Sequence, residues 1–135
     1  LKVKEILCLE GIGSMSDTYN AYCLSNREKN IQNLKKKAGI ERLQEGIIMG
    51  VAGALVLHKS VLISCIFVET HSNLPDSRAA AKMIEVLDRY LGLKVDPKPL
   101  IIQAEKVETK IKDLMEKSKS AAETRQKKEE LTYLG

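Results

Sequence analysis

The sequence predicts an α/β domain, and three stretches carry that prediction. Residues Val61–Val68 are almost continuously apolar and rich in β-branched side chains, which is the pattern of a central strand covered on both faces. Residues 76–92 begin with a helix-capping Asp76, place apolar side chains at helical spacing and end at Gly92. Residues Lys2–Leu9 alternate and then turn apolar, which predicts a second strand at the start of the chain.

Composition and charge set the class of protein. The 135 residues are 44% hydrophobic and 30% charged, which is typical of one globular domain with a modest core. The net charge of +4 comes from lysines spread along predicted helix surfaces, whereas nucleic-acid binders concentrate basic residues on one face. Aromatic residues make up only 4% and tryptophan is absent, so base stacking has few platforms. We therefore predict no nucleic-acid partner.

The cysteine content and the hydropathy of the chain indicate its cellular compartment. Cys8, Cys23 and Cys65 are odd in number and widely spaced, and two of them lie in apolar strand-like runs where a thiol behaves as a small hydrophobe. No apolar run reaches the about 18 to 20 residues needed to cross a bilayer. These features predict a cytoplasmic protein without a membrane anchor. Because the chain opens with Leu1 inside a strand-like run, we also expect N-terminal sequence to be missing.

The first predicted strand runs into a glycine-rich segment, Gly11-Ile12-Gly13-Ser14-Met15-Ser16. A loop of this kind after a strand can hold phosphate on its backbone N–H groups. The dinucleotide-binding pattern requires a third glycine where this chain has Ser16, and the Gly-Lys-Ser/Thr of a phosphate-binding P-loop is absent. Gly11 and Gly13 are therefore assigned either to a ligand-binding loop or to an oligomer contact.

Two further elements follow before the central strand. Tyr19–Leu24 is predicted as a short strand, and Arg27–Lys37 as a short exposed helix that ends at Gly39. The stretch Gly46–Leu57 repeats glycine at positions 46, 50 and 53, which would fall along one side of a helix. Such a bare stripe allows close approach of another backbone. The alternatives are packing of this helix on the sheet, or contact with a ligand or a neighbouring subunit.

His71 lies in a polar loop, Glu69–Pro75, at the C-terminal end of the predicted central strand. Open α/β sheets bind ligands at that end. With Glu69 as an orienting carboxylate, His71 could act as a general base, and the alternative is a solvated loop histidine. Neither His58 nor His71 has cysteine or histidine partners at metal-ligand spacing, so we predict no metal site. No nucleophile with an identifiable base accompanies them, and we predict no catalytic residue and no cofactor.

The C-terminal third begins after Asp96-Pro97-Lys98-Pro99 with a long helix from Leu100, whose apolar residues recur every three or four positions through Ala121. Beyond Met115 the pattern loses its apolar strength. We predict three parts: an α/β domain over residues 1–96, a long helix over 97–122 packed on the domain or in an oligomer, and a mobile charged tail over 123–135. The end of this tail, with apolar and aromatic side chains, is typical of a tethered ligand, and the alternative is an ordinary chain end. The residues concerned are Leu131, Tyr133, Leu134 and Gly135.

The run from Glu45 to Gly92 resembles the C-terminal half of the archaeal branch of the proteasome assembly chaperone family. The matching features are the small-residue stretch Gly46–Leu55, the strand Leu62–Glu69, the phrase Glu69-Thr70-His71-Ser72-Asn73-Leu74-Pro75-Asp76, and Arg78-Ala79-Ala80-Ala81 at the start of the next helix. The upstream strand Val3–Leu7 with its Gly11 and Gly13 is also similar to that family.

The resemblance implies a three-layer α/β/α sandwich, similar in layout to nucleoside phosphorylases but without their active site. It also implies self-association into small rings or tetramers, and binding to proteasome α-subunits or to an unrelated protein partner. Family members dock a flexible C-terminus through a hydrophobic residue, a penultimate tyrosine and the terminal carboxylate. Here Tyr133 is third from last and follows Thr132, so the end of this chain departs from that pattern.

Two functions follow as expectations. The first is a homo-oligomeric, non-enzymatic scaffold or chaperone that engages a protein partner, such as proteasome α-subunits, partly through its C-terminal tail. The alternative is a nucleoside- or phosphate-handling enzyme whose catalytic residues lie in a missing N-terminal half. Gly11, Gly13, Gly46, Gly50, Gly53 and His71 would form oligomer contacts in the first case and a ligand loop in the second.

Overall fold

The computed structural model describes residues 2–71 and 75–133, with side chains described up to residue 120 apart from Leu100. Ser72, Asn73 and Leu74 of the family-like phrase lie outside the described residues. The strands within the described part are β1 Glu5–Gly13, β2 Ala21–Ser25, β3 Glu41–Arg42 and β4 Leu62–Thr70. The helices there are α1 Glu28–Ala38, α2 Gly50–Val56, α3 Ser77–Leu91 and α4 Lys98–Tyr133.

The strands form a mixed sheet with the order β1-β4-β2-β3. Strand β4 lies inside the sheet, parallel to β1 and antiparallel to β2. Residues 63–68 of β4 are all buried, because helices cover both faces of the sheet at this strand. The sequence prediction of a central strand over Val61–Val68 is confirmed.

Alternate residues of β4 pack into two separate apolar clusters. On one face Ile66 and Val68 join Leu34 of α1 and Val86 of α3. On the other face Ile63 and Phe67 pack with Ala52 of α2. Helices therefore cover both sides of the sheet, and the expected three-layer α/β/α sandwich with a long C-terminal helix is confirmed.

The ends of α1 and α3 follow from their capping residues. Asp76 accepts hydrogen bonds from the backbone N–H groups of Arg78 and Ala79, which are among the unpaired donors at a helix start. Gly39 and Gly92 end the two helices with left-handed φ values of 68° and 67°, a conformation that glycine adopts without steric cost. Both predicted helices are confirmed, with ends close to the predicted ones.

The predicted glycine loop after the first strand is wrong. Strand β1 runs through Gly11 to Gly13, which is in register with Thr70 at the end of β4. The backbone ladder continues past the apolar part of β1 because β4 is long enough to pair with it. A Cβ atom on Gly11 would lie 2.8 Å from Cγ2 of Thr70, so the missing side chain serves close strand packing.

The predicted glycine stripe along one helix is also wrong. Helix α2 begins only at Gly50, which has a left-handed φ of 69°, and Gly46 lies before the helix. Gly53 is inside α2, where a Cβ atom would lie 2.6 Å from the carbonyl oxygen of Ile48. The glycines thus allow a turn into the helix and a close approach to the preceding segment, and they do not line one side of a helix.

Helix α4 begins at Lys98, and its backbone stays helical to Tyr133, past the predicted end at residue 122. On its first turns Ile101, Ala104 and Ile111 are half-buried, whereas residues 112–120 are all exposed. The helix therefore packs on the body near its start and then extends away from it. The division into parts at residues 96 and 122, and the mobility of residues 123–135, stay predictions.

Candidate functional site

A cleft of about 530 Å³ opens where the central strand ends. It lies between the loop that precedes β2, the residue that follows β4, the first turn of α3 and the inner side of α4. Its lining is mostly polar and consists of Tyr19, His71, Asp76, Ser77, Arg78, Glu105, Glu108, Thr109 and Lys112. This is the position at which the sequence predicted a binding crevice.

His71 lies at the back of this cleft. Its backbone N–H donates to Oδ2 of Asp76 at 3.1 Å, and its ring packs edge-on against Tyr19 with ring centroids 4.3 Å apart. Its side chain is only 22% exposed, so the expectation of a solvated histidine is wrong. The nearest carboxylate oxygen to Nδ1 is Oδ2 of Asp76 at 3.9 Å, and neither ring nitrogen has a hydrogen-bond partner within residues 2–71 and 75–133.

Glu69 was expected to orient the ring of His71, but its carboxylate binds the chain before and at the start of β2. Its carboxylate accepts hydrogen bonds from the backbone N–H of Asn20 at 2.9 Å, from the Tyr22 hydroxyl at 3.2 Å and from the Ser16 hydroxyl at 3.3 Å. Burial by itself would raise the pKa of Glu69, but these hydrogen bonds outweigh it and lower the pKa below its ordinary value. Glu69 is therefore a charged anchor for the chain before β2 and not a partner of the imidazole.

Glu108 joins α4 to the start of α3. Its Oε2 accepts from the backbone N–H of Ser77 at 3.2 Å and from the Ser77 hydroxyl at 2.5 Å, while its Oε1 accepts from Nζ of Lys112 at 2.8 Å. The hydrogen bonds from Lys112 and then from Ser77 lower the pKa of Glu108 to about 2. Since Ser77 is the first residue of α3, a carboxylate here also faces the positive end of the helix dipole.

The Glu108 contact was not predicted from the sequence. Glu108 belongs to a helix rich in charged residues, where a glutamate is normally a solvated surface residue. The helix cap Asp76 did indicate where the unpaired N–H groups of α3 would lie. No pattern in the sequence indicates which distant carboxylate meets them.

The other predicted residues lie elsewhere. Gly11 and Gly13 are in β1, and Gly46, Gly50 and Gly53 lie at or before α2 on the opposite face of the sheet from α3. Leu134 and Gly135 lie outside the described residues, as do the side chains of Leu131 and Tyr133. Of the predicted site residues within the described ranges, His71 is the one that lines the cleft.

The polar side chains of the cleft connect α4 to the start of α3. The hydroxyl of Ser77, which lines the same cleft as His71, donates to Glu108 and not to the imidazole. Among the described residues, no three His, Cys, Asp or Glu side chains are placed to hold a metal ion. The same part of the chain contains no helix that is both long and apolar enough to span a membrane.

Exposed apolar side chains mark a second surface, which we call the α2 surface and define as Ile47, Met49, Val51 and Leu57. These side chains are 91%, 77%, 75% and 78% exposed. They come from one short stretch of chain around α2. Large apolar residues grouped in this way are typical of protein-contact surfaces.

Comparison with known proteins places these features in a family. The sequence model of the PAC2 family matches residues 1–115 of this chain. An uncharacterized protein of Methanocaldococcus jannaschii is 32% identical over 96 residues, which cover 69% of this chain and 40% of that protein.

Solved structures give the same grouping. Pyrococcus furiosus PbaA, an archaeal homolog of proteasome-assembly chaperone, matches with a TM-score of 0.71 and 30% identity over 87% of this chain and 55% of its own. Pyrococcus furiosus PbaB, an archaeal proteasome activator, matches with a TM-score of 0.66 over 83% of this chain and 51% of its own. At 19% identity the PbaB likeness concerns the fold alone. The chain thus spans about half the length of these solved relatives.

Proposed function

The chain belongs to the PAC2 family, and from that premise we propose that it is a protein-binding scaffold or assembly chaperone and not an enzyme. The observation that carries this proposal is the anchoring of α4. Glu108 ties the helix to Ser77 near its start, and residues 112–120 beyond the anchor are all exposed. A helix held firmly at one end presents its far end to a partner.

We propose that the partner is bound partly by the end of the chain, with Leu131, Tyr133, Leu134 and Gly135 as the contacting residues. PbaA is an archaeal homolog of proteasome-assembly chaperone, and this likeness, together with the family resemblance, makes proteasome α-subunits the partner to test first. A tyrosine, an apolar neighbour and a terminal carboxylate are all present, although Tyr133 is third from last.

We also propose that the protein forms a homo-oligomer. The α2 surface offers exposed apolar side chains, and the space beside Gly50 at the start of α2 is open to another backbone. Several copies in one assembly would present several tails, and linked weak contacts gain affinity through high effective concentration. Oligomerisation is then part of how the tail works.

The proposed location is the cytoplasm. All three cysteines are free, and Cys23 and Cys65 are buried, which is typical of proteins in a reducing compartment. Neither a nucleic acid nor a membrane is proposed as a partner.

The enzyme alternative placed its pocket between the loop 69–76 and the glycine segment 11–16, with a phosphate-binding loop at Gly11 and Gly13. Both residues belong to a strand that pairs with β4, so their backbone groups have the geometry of a sheet and not of a phosphate cradle. No observation in the cleft favours a nucleoside or phosphate substrate, and this function is not proposed.

The test is capture of purified archaeal proteasome α-subunits by the intact chain and by a version that lacks Tyr133–Gly135. We expect capture by the intact chain and loss of capture by the shortened one. A matched control replaces Lys119, an exposed residue of α4, by Ala and should bind as the intact chain does. Equal capture by the shortened chain would overturn the tail as the binding segment, and no capture by any version would overturn the proteasome as the partner.

Self-association is tested separately by light scattering coupled to size-exclusion chromatography. The expected result is a single species larger than the 15.0 kDa monomer, which the exchange Val51→Glu on the α2 surface dissociates. The exchange Lys117→Glu on α4 serves as the charge-changing control. A monomeric intact protein would contradict the proposed oligomer.

A further inference from the structure

Two of the three cysteines are neighbours across the sheet. Cys8 of β1 and Cys65 of β4 are register partners in the parallel ladder. Both belong to the apolar cluster under α2, in which Cys65 is fully buried and Cys8 packs against it. Cys23 belongs to the cluster on the opposite face and is separated from the pair by the sheet.

The strand geometry suits a covalent bond between these residues. Neighbouring strands lie about 4.7–4.9 Å apart, and disulfides join residues whose Cα atoms are about 4.4–6.8 Å apart. Register partners on adjacent strands also direct their side chains to the same face. Closing a bridge between Cys8 and Cys65 therefore needs no exchange of strand partners and no change of register.

The two thiols differ in access. Cys8 is half-buried and lies on β1, which pairs with β4 alone among the described strands, whereas Cys65 has no exposed surface. A small reagent from solution reaches Cys8 first. Burial, and then the neighbouring Cys8 thiol, raise the pKa of Cys65 to about 12, so Cys65 is a poor nucleophile toward solvent but is already next to the sulfur of Cys8.

We propose that Cys8 and Cys65 form a modification site, an oxidisable pair that a low-molecular-weight disulfide converts into a bridge between β1 and β4. The Cys8 thiolate attacks one sulfur of the reagent and displaces the other as a thiolate. Cys65 then gives up its proton and attacks the Cys8 sulfur, which releases the second half of the reagent. Two protein thiols are oxidised, and one reagent disulfide is reduced to two thiols.

The bridge would fasten the outer strand to the strand inside the sheet. Strand β1 is held by its ladder to β4 and by side chains on both faces, and a covalent bond at its middle would suppress local separation of the two strands. Oxidation should therefore raise the melting temperature and slow amide hydrogen exchange in β1. Because the reaction needs the Cys65 thiolate, bridge formation should accelerate as the pH rises toward the raised pKa of Cys65.

The test treats the full chain with oxidised glutathione and follows free thiols and intact mass. We expect the count of free thiols to fall from three to one, a mass lower by two hydrogens without a retained glutathione, and a peptide map that joins Cys8 to Cys65. Peptide mapping of the unaltered chain decides the matter even if a variant fails to fold. A stable glutathione adduct on Cys8, a bridge that includes Cys23, or no reaction would each overturn the proposal.

Three variants sharpen the result. The exchange Cys65→Ser should leave glutathione attached to Cys8, because the second attack is lost, and Cys8→Ser should abolish the reaction. The exchange Cys23→Ser is the matched control, a buried cysteine outside the pair, and should form the bridge at the rate of the unaltered chain. A bridge-free product in the Cys23→Ser variant would contradict the assignment.

Discussion

The carboxylate of Glu108 receives both the backbone N–H and the hydroxyl of Ser77, at 3.2 and 2.5 Å. These residues are 31 positions apart and belong to different helices. The contact holds α4 against the first turn of α3. The direction in which the rest of α4 leaves the body depends on this contact.

Removing the charge of Glu108 should weaken the attachment of α4. The exchange Glu108→Gln keeps the shape of the side chain but loses the charge-assisted hydrogen bonds, and hydrogen bonds to charged groups contribute about 1.5–3 kcal/mol each. We expect the free energy of unfolding in urea to fall by about 1–3 kcal/mol. The exchange Glu105→Gln, at an exposed glutamate of the same cleft, is the control and should change stability little. Equal effects of the two exchanges would show that the contact between Glu108 and Ser77 does not hold α4 on the body.

The same contact should make stability depend on acid pH. The pKa of Glu108 is about 2 in the folded chain, below its ordinary value of 4.5, so the folded state favours the carboxylate. Its contribution is therefore complete above about pH 4.5 and is lost as the pH falls toward 2. The measurement is the urea stability of the unaltered chain and of Glu108→Gln over this range. The difference between them should shrink as the pH falls, and a constant difference would speak against the shift.

Gly11 should tolerate a side chain less well than Gly13, although both lie in β1. A Cβ on Gly11 would meet Cγ2 of Thr70 at 2.8 Å, whereas a Cβ on Gly13 meets nothing within 4 Å. Overpacking costs typically about 1–3 kcal/mol, so Gly11→Ala should lower the free energy of unfolding by that amount and Gly13→Ala should leave it nearly unchanged.

A second exchange separates this clash from other effects of alanine. Thr70→Ser removes Cγ2 and keeps the hydroxyl that donates to the carbonyl of Ile12. Combined with Gly11→Ala it should recover a large part of the lost stability. A double variant whose losses simply add would show that the Thr70 methyl group is not the cause.

Glu69 should matter for stability and not for any reaction in the cleft. The exchange Glu69→Gln weakens the acceptor of the Asn20 N–H and of the Tyr22 hydroxyl in a site that is 8% exposed. A cost of about 1–2 kcal/mol in urea unfolding is expected for this loss. The exposed Glu45→Gln is the control, with an expected change near zero. Nearly equal stabilities of the two variants would show that Glu69 does not anchor the chain before β2.

Much of the fold could be predicted because its signals are local. The apolar run of β4 shows by its own composition that it is covered on both faces, and Asp76, Gly39 and Gly92 mark helix ends by their own chemistry. The resemblance to the proteasome assembly chaperone family added the layer order, and the PAC2 match agrees with it. The roles of the glycines were missed because a glycine allows a loop, a left-handed turn or a close approach equally well.

The sequence by itself therefore determined the central strand, the capped helices and the position of His71 after the strand. Only the tertiary structure decided which carboxylate serves which group: Asp76 near His71, Glu69 on Asn20 and Tyr22, and Glu108 on Ser77. The physical reason is that a carboxylate on a helix or at a strand end has the same local pattern whether it is solvated or paired. Its partner is set by the packing of elements distant in the chain, and that packing follows from the burial of the whole apolar core.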